Sequence, residues 1–522
     1  MTRARDLADY ISTGVSDTEL DVLDGVTAGT VTASKALVVD ANKDIASLRN
    51  TTLTGTATIN TLAVDGGTIK LDGDYPTGTS NVALGNTALD DGSLSGGYNT
   101  AVGSGSLSAN TSGQQNASFG AFSLDANTTG SYNAGFGQSS LGSNTTGSNN
   151  TGLGRGALSA NTTADNNTAV GYNALNANTT GTPNTAIGYA ALDANTTGSR
   201  NTGLGVGALG ANTTANDNTA VGYASLLLNT TGQYNTSVGK DALYNSTTAI
   251  YNTATGYQAL KANTTGQYNV AVGGDALVNN TTASNNTAVG VAALYENTTG
   301  ADNVAVGLNA LRYTTTADSN TAVGSRAGQA LTTGLRNTLV GHNAGLALAT
   351  SNSDNVFVGQ GAGSAITTGD ANVIIGRYSG NAGGLDIRTS SNNIVLSDGD
   401  GTPRVHIDSN GKTRAESYAE TSEALSGTTP TVNCNNGNVF TLTTSGNTTF
   451  TFSNPPASGT AYGFTLKLTS GGSHTITYPA SVDFAGGTAP DAPASGETDV
   501  LVFFTVDGGT NWYGALAIDA AG

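Results

Sequence analysis

The chain has 522 residues, of which 72 are Gly and only 11% are charged, with a formal net charge of −18. That balance excludes a nucleic-acid binder, because phosphate neutralisation needs clustered Lys and Arg and the longest basic feature is the Arg3 and Arg5 pair. The lone Cys434 excludes an intrachain disulfide framework, and no run of about 18 apolar residues marks a membrane-spanning helix.

Residues 1–80 open with a short helical signal from Arg3 to Ile11 and pass into Thr- and Val-rich alternation such as Thr54 to Val64. Charges run through the N-terminus, which reads as lacking the apolar core of a secretory signal. With few aromatic residues, this leader is expected to fold only as an oligomer or when docked, which makes it the candidate attachment segment.

Residues 81–376 are a repeat, the strongest feature of the sequence. Anchor Asn residues recur 18 times from Asn81 to Asn372, nearly always 17 residues apart. Counting the anchor as zero, position three is apolar in every copy but Thr255, position four is Gly, and position eight is Leu from Leu89 to Leu311. Position eleven is usually Asn followed by Thr-Thr. Thr, Val, Asn and Gly favour short strands and tight turns over helices, so one repeat is one β-coil. In the representative unit, Asn167 to Gly171 is expected to be a strand, Tyr172 and Asn173 a corner, Ala174 and Leu175 a second strand, and Asn178 to Gly181 the return turn. Val170 and Leu175 are then expected to point into the coil.

Two apolar stripes five residues apart favour a flattened two-sided roll over a three-sided helix. With Gly at position four and Ala, Gly or Ser at position two, one strand face is nearly bare backbone, which calls for a close neighbour. One Val and one Leu per coil are a thin core against the entropy of ordering 17 residues. Packing against identical chains is the expected remedy, and three-fold symmetry is the simplest arrangement. In the last copies Leu at position eight becomes Gly328, Gly345 and Gly363, while Leu331, Leu348 and Ile366 appear at position eleven. The roll is expected to reshape near residue 330, as terminal coils do.

Residues 377–420 read as a junction. Within it, Asp398, Gly399, Asp400 and Gly401 have the look of a calcium loop, but no Glu sits where an EF-hand places it, so a hairpin turn is the better reading. Residues 421–522 supply the large side chains that the repeat lacks and are expected to form a separate antiparallel β-sandwich. Trp512 and Tyr513 are neighbours on an expected strand, so one should face the core and the other solvent. Tyr462, Tyr478, Trp512 and Tyr513 are the candidates for receptor contact, with core packing as the plainer alternative. His342, His406 and His474 lie in different modules, which leaves no metal cluster or catalytic triad to propose. The Asn-Thr-Thr turns match glycosylation acceptors but read as turn chemistry.

The units NTAVGYNALNANTTG and NVAVGLNALRYTTTADS resemble the head repeats of trimeric autotransporter adhesins of the YadA type, repeats also common in tail fibres of tailed bacteriophages. The leader SDTELDVLDGVTAGTVTASKALVVDANKDIASLRN and the exit NNIVLSDGDGTPRVHIDSNGK look like phage fibre modules, and GALAIDAAG does not resemble a membrane barrel strand. The resemblance implies an all-β homotrimeric fibre, with a left-handed parallel β-roll shaft and a β-sandwich tip, located in the virion as a tail fibre. It implies a phage tail or baseplate protein as partner at the N-terminus and a host surface saccharide or protein at the C-terminus, with no cofactor, metal or catalytic residue. A trimeric bacterial surface adhesin and a polysaccharide depolymerase tailspike are the alternatives.

Overall fold

The computed structural model describes residues 79–519 other than Glu416 and Tyr418. The leader expectations, including the Arg3 to Ile11 helix, lie outside the described residues.

Each repeat contributes one three-residue strand, from β1 (Val82–Leu84) to β18 (Val373–Ile375). Strand n pairs in parallel with strand n+1 without register slip, as Thr168↔Thr185, Ala169↔Ala186 and Val170↔Ile187 illustrate. The chain is therefore a β-solenoid with one coil per repeat. Its register is fixed by side chains as well as by the backbone. Asn167 Oδ1 accepts the backbone N–H of Asn184 at 2.8 Å, and Asn167 Nδ2 donates to the carbonyl of Gly181 at 3.0 Å across its own coil. Asn178 Nδ2 donates to Asn161 Oδ1 at 3.0 Å and to Gly181 O at 3.1 Å. These two Asn rows are buried, and nearly all their amides are satisfied along the row and by backbone groups, which offsets the cost of burying them. Because Asn178 and its equivalents are enclosed, the Asn-Thr-Thr turns are indeed turn chemistry.

The inside of the coil differs from the expectation. Ala169 and Leu175 are completely buried, whereas Val170 stands on the outer face and is partly exposed. Strand side chains alternate, so once the anchor Asn is buried, position two must face inward and positions one and three outward. Ala174 and Leu175 form no second strand. Leu175 adopts φ 50° in a stacked turn and reaches across to the small residue at position two. The bare face is thus the interior of a thin roll, already covered by its own Leu row.

Gly at position four is likewise explained within one chain. Gly137 has φ +130°, and a Cβ there would lie 2.6 Å from the carbonyl carbon of Gly154 in the next coil. The close neighbour is the following rung, not another molecule.

Near residue 330 the backbone ladder continues unchanged while the core inverts. Leu at position eight gives way to Gly328, Gly345 and Gly363, and from the rung after Gly328 the small residue at position two becomes Leu339, Phe357 and Ile374, all fully buried. A Cβ on Gly345 would meet Leu339 Cδ2 at 2.9 Å, so bulk at position two now fills the space that Leu at position eight fills elsewhere.

The solenoid also runs past the expected boundary at 376. A small hairpin of β19 (Asn381–Ala382) and β20 (Leu385–Asp386) leads to β21 (Ile394–Ser397), which pairs in parallel with β18. Tyr378 is buried here, its hydroxyl donating to Leu385 O at 2.8 Å. Two antiparallel strands, β22 (Pro403–Ile407) and β23 (Thr413–Ala415), then complete a 21-stranded sheet. The anchor row ends at Asn393, whose Oδ1 lies 3.0 Å from His406 Nε2. Asp398 does form a hairpin turn: its Oδ1 accepts the N–H groups of Asp400 and Thr402, and Arg404 holds its Oδ2 at 2.6 Å.

The C-terminal region is a separate β-structure. Its main sheet has the order β24 (Ser422–Ala424), β26 (Val439–Thr443), β29 (Tyr462–Thr469), β32 (Thr498–Thr505), β33 (Trp512–Ile518) and β31 (Val482–Phe484). The central pairs β29–β32 and β32–β33 are antiparallel, as expected. The outer pairs are parallel, and for β24–β26 and β26–β29 the departure has a simple cause. Between β24, β26 and β29 the chain visits a second layer, where β25 (Thr431–Asn433) pairs with β28 (Thr451–Ser453) and β27 (Thr448–Thr449) with β30 (Ile476–Thr477). A chain that alternates between layers returns to each in the same direction. Phe440, Phe450, Phe464, Phe503 and Trp512 fill the space between the layers.

Candidate interaction surfaces

The outward set of each strand places positions one and three on one continuous face of the solenoid. Position three carries Leu, Val, Phe or Ile in nearly every rung, and these side chains stay substantially exposed, at 48% for Leu153 and 38% for Ile187. Parallel rungs lie about 4.8 Å apart, so the residues form a contiguous apolar stripe rather than scattered surface hydrophobics. Phe119 and Phe136 show the register directly, stacking with ring centroids 4.8 Å apart and planes within 6°.

Aromatic residues border the stripe. Tyr172 and Tyr189 at position five stack at 5.3 Å, and Tyr234, Tyr251 and Tyr268 just before the anchor stack at 4.7 and 5.3 Å. Since these rings cover one another face to face, they offer edges and hydroxyls to a neighbour. Arg155 donates through Nη1 to Tyr172 Oη at 2.9 Å while lying over the same ring. Exposed ion pairs also bridge consecutive rungs, Arg200 to Asp217 at 2.6 Å and Arg336 to Asp354 at 2.7 Å; solvent screening leaves such pairs little net stabilisation.

The structure separates the four aromatic candidates of the C-terminal region. Trp512 is 1% exposed and sits edge-on to Phe452 at 5.2 Å. Tyr478 stacks on Phe450, and Tyr462 packs against Trp512 while donating its hydroxyl to Gly437 O at 2.5 Å. Trp512 is therefore a core residue, and Tyr462 and Tyr478 are half-buried rings packed against that core. Burial pushes both Tyr462 and Tyr478 hydroxyls well above the usual phenol range. Tyr513 alone is open to solvent, at 54%.

Phe504 is a surface residue that was not among the sequence candidates. It pairs directly with Tyr513 across β32 and β33 and is exposed, with Val502 beside it on the same face. The signal was available in the Phe503–Phe504 pair, since neighbours on a strand point to opposite faces. Together Val502, Phe504 and Tyr513 make an outward apolar patch.

Among the described residues, no group of three or more His, Cys, Asp or Glu is placed to hold a metal ion, and no helix is long and apolar enough to cross a membrane. Of the five repeat candidates, Asn167, Leu175 and Asn178 are buried inside the coil, Gly171 abuts Gly188 of the next rung, and Val170 faces outward. Comparison with family models, curated proteins and solved structures finds no match to this chain.

Proposed function

We propose that this chain is the shaft-forming subunit of a homotrimeric fibre, a structural and adhesive protein of the kind used as tail fibres by tailed bacteriophages. One observation carries the reading: the apolar residue at position three points outward along the whole solenoid. Eighteen rungs at about 4.8 Å give a rod of roughly 85 Å, and an apolar stripe of that length exceeds what soluble monomers leave in water. Parallel association of three copies buries the stripe and leaves the polar turns solvated, and closed rotational symmetry limits the assembly to a finite fibre.

In this reading the leader attaches to a tail or baseplate protein, the solenoid is a stiff spacer, and the C-terminal region meets a host surface saccharide or protein. The phage assignment rests on the resemblance of the repeat and its flanks to fibre modules. Support for adhesion at the C-terminal end comes from the exposed Val502, Phe504 and Tyr513 patch. Deleting residues 421–522 is expected to abolish host-cell binding while leaving a trimeric rod. Undiminished adsorption by that truncation would contradict the adhesive assignment.

A further inference from the structure

The inner Asn row at position eleven is interrupted twice before the roll reshapes, at Ser246 and at Thr314. Asn212 Nδ2 donates to Asn195 Oδ1 at 2.7 Å and Asn229 Nδ2 to Asn212 Oδ1 at 3.1 Å. The row resumes with Asn280 donating to Asn263 Oδ1 at 2.8 Å. Between Asn229 and Asn263 the position is Ser246. All three residues are fully buried.

Three polar groups face this break. Asn229 Oδ1 and Ser246 Oγ are buried without a hydrogen-bond partner. Asn263 Nδ2 donates one hydrogen to Gly266 O at 3.0 Å, and its other hydrogen points along the row to where an Asn oxygen stands in other rungs. The backbone does not close over the shorter side chain. Thr230 N–H reaches Thr247 O at 2.9 Å and Leu243 N–H reaches Ala259 O at 3.0 Å, the spacings found at uninterrupted rungs such as Thr196 to Thr213 at 2.9 Å. Ser has two heavy atoms fewer than Asn, so the space left is close to that of one water molecule, about 30 Å³ in the liquid.

We propose that this break is a built site for a single structural water, which donates to Asn229 Oδ1, accepts from Asn263 Nδ2 and shares a hydrogen bond with Ser246 Oγ. Three partners are what buried waters typically have, and the water removes the cost of leaving these groups unpaired. The second break in the row does not meet the same conditions. Thr314 commits its hydroxyl to Leu331 O at 3.1 Å, so only Asn297 Oδ1 is left without a partner there. A water is therefore assigned at residue 246 and none at residue 314.

A high-resolution crystal structure of the full chain tests the assignment. It should show an ordered peak within hydrogen-bond distance of Asn229 Oδ1, Ser246 Oγ and Asn263 Nδ2. In the Ser246→Asn variant the peak should vanish, with the new amide bonding both neighbours and Tm rising by about 2 °C. A dry site in the wild-type density, or a Ser246→Asn chain that melts lower than wild type, overturns the proposal. Should that variant fail to fold, the wild-type density decides.

Discussion

Asn167 accepts the backbone N–H of Asn184 at 2.8 Å and donates to Gly181 O at 3.0 Å, so one side chain bonds both along the rod and across the coil. Asn167→Ala leaves the buried Asn184 N–H without a partner, at a cost of about 1–3 kcal/mol, and removes one of the two amides that donate to Gly181 O. Thermal melting should show a clear loss of stability. Thr168→Ala, on the outer face of the same strand, should stay within about 0.5 kcal/mol of wild type.

Gly137 is held at φ +130° with its α-carbon against the next rung. Gly137→Ala is expected to yield little folded chain, because neither the backbone angle nor the 2.6 Å approach to Gly154 can relax without parting two rungs. Gly92→Ala, where a Cβ meets nothing within 4 Å, is the matched control and should express and melt as wild type. Soluble yield and circular dichroism of the pair make the comparison.

Burial between rungs pushes the Asp193 carboxyl above the ordinary carboxylate range, with the backbone N–H groups of Asp193 and Ala194 offsetting part of the rise. A raised folded pKa means that the ionised form is disfavoured in the coil. The stability associated with the protonated form is present below the unfolded pKa and lost as pH rises through the folded one. Asp193→Asn should therefore raise Tm at neutral pH, and the gain should disappear in acid below the carboxylate range.

Trp512 and Tyr513 are adjacent in sequence and opposite in role. Trp512→Ala empties the space between the layers and should destabilise the C-terminal region by about 3–5 kcal/mol. Tyr513→Ala should leave its melting nearly unchanged. If the outward patch meets the host surface, Tyr513→Ala and Phe504→Ala weaken cell binding without unfolding, and unaltered adsorption by the double variant would exclude the patch as the contact.

The period, the all-β coil, the buried Leu175 and the separate aromatic-rich region were legible in the sequence because each depends on local chemistry repeated many times. The inward or outward sense of Val170 was not. A large apolar residue reads as core, and nothing local tells which side of a three-residue strand faces the interior. The decisive clue lay at the end of the repeat. Bulk appears at position two in Leu339, Phe357 and Ile374 in the rungs whose position eight is Gly or abuts Gly, which identifies those positions as facing each other across the interior. Parallel pairing in the C-terminal region was hidden for another reason: strand patterns report burial, while direction depends on which layer the chain visits between strands.

The outward stripe is the centre of the account, and the mass of the assembled chain tests it most directly. Native mass spectrometry of the full-length protein should find a particle of three times the 51.7 kDa chain mass. The triple variant Val170→Asp, Ile187→Asp and Leu204→Asp, which touches only outward positions, should dissociate to single chains with unchanged β-sheet circular dichroism. A wild-type particle of 51.7 kDa, or a triple variant that stays trimeric, would contradict assembly through this face.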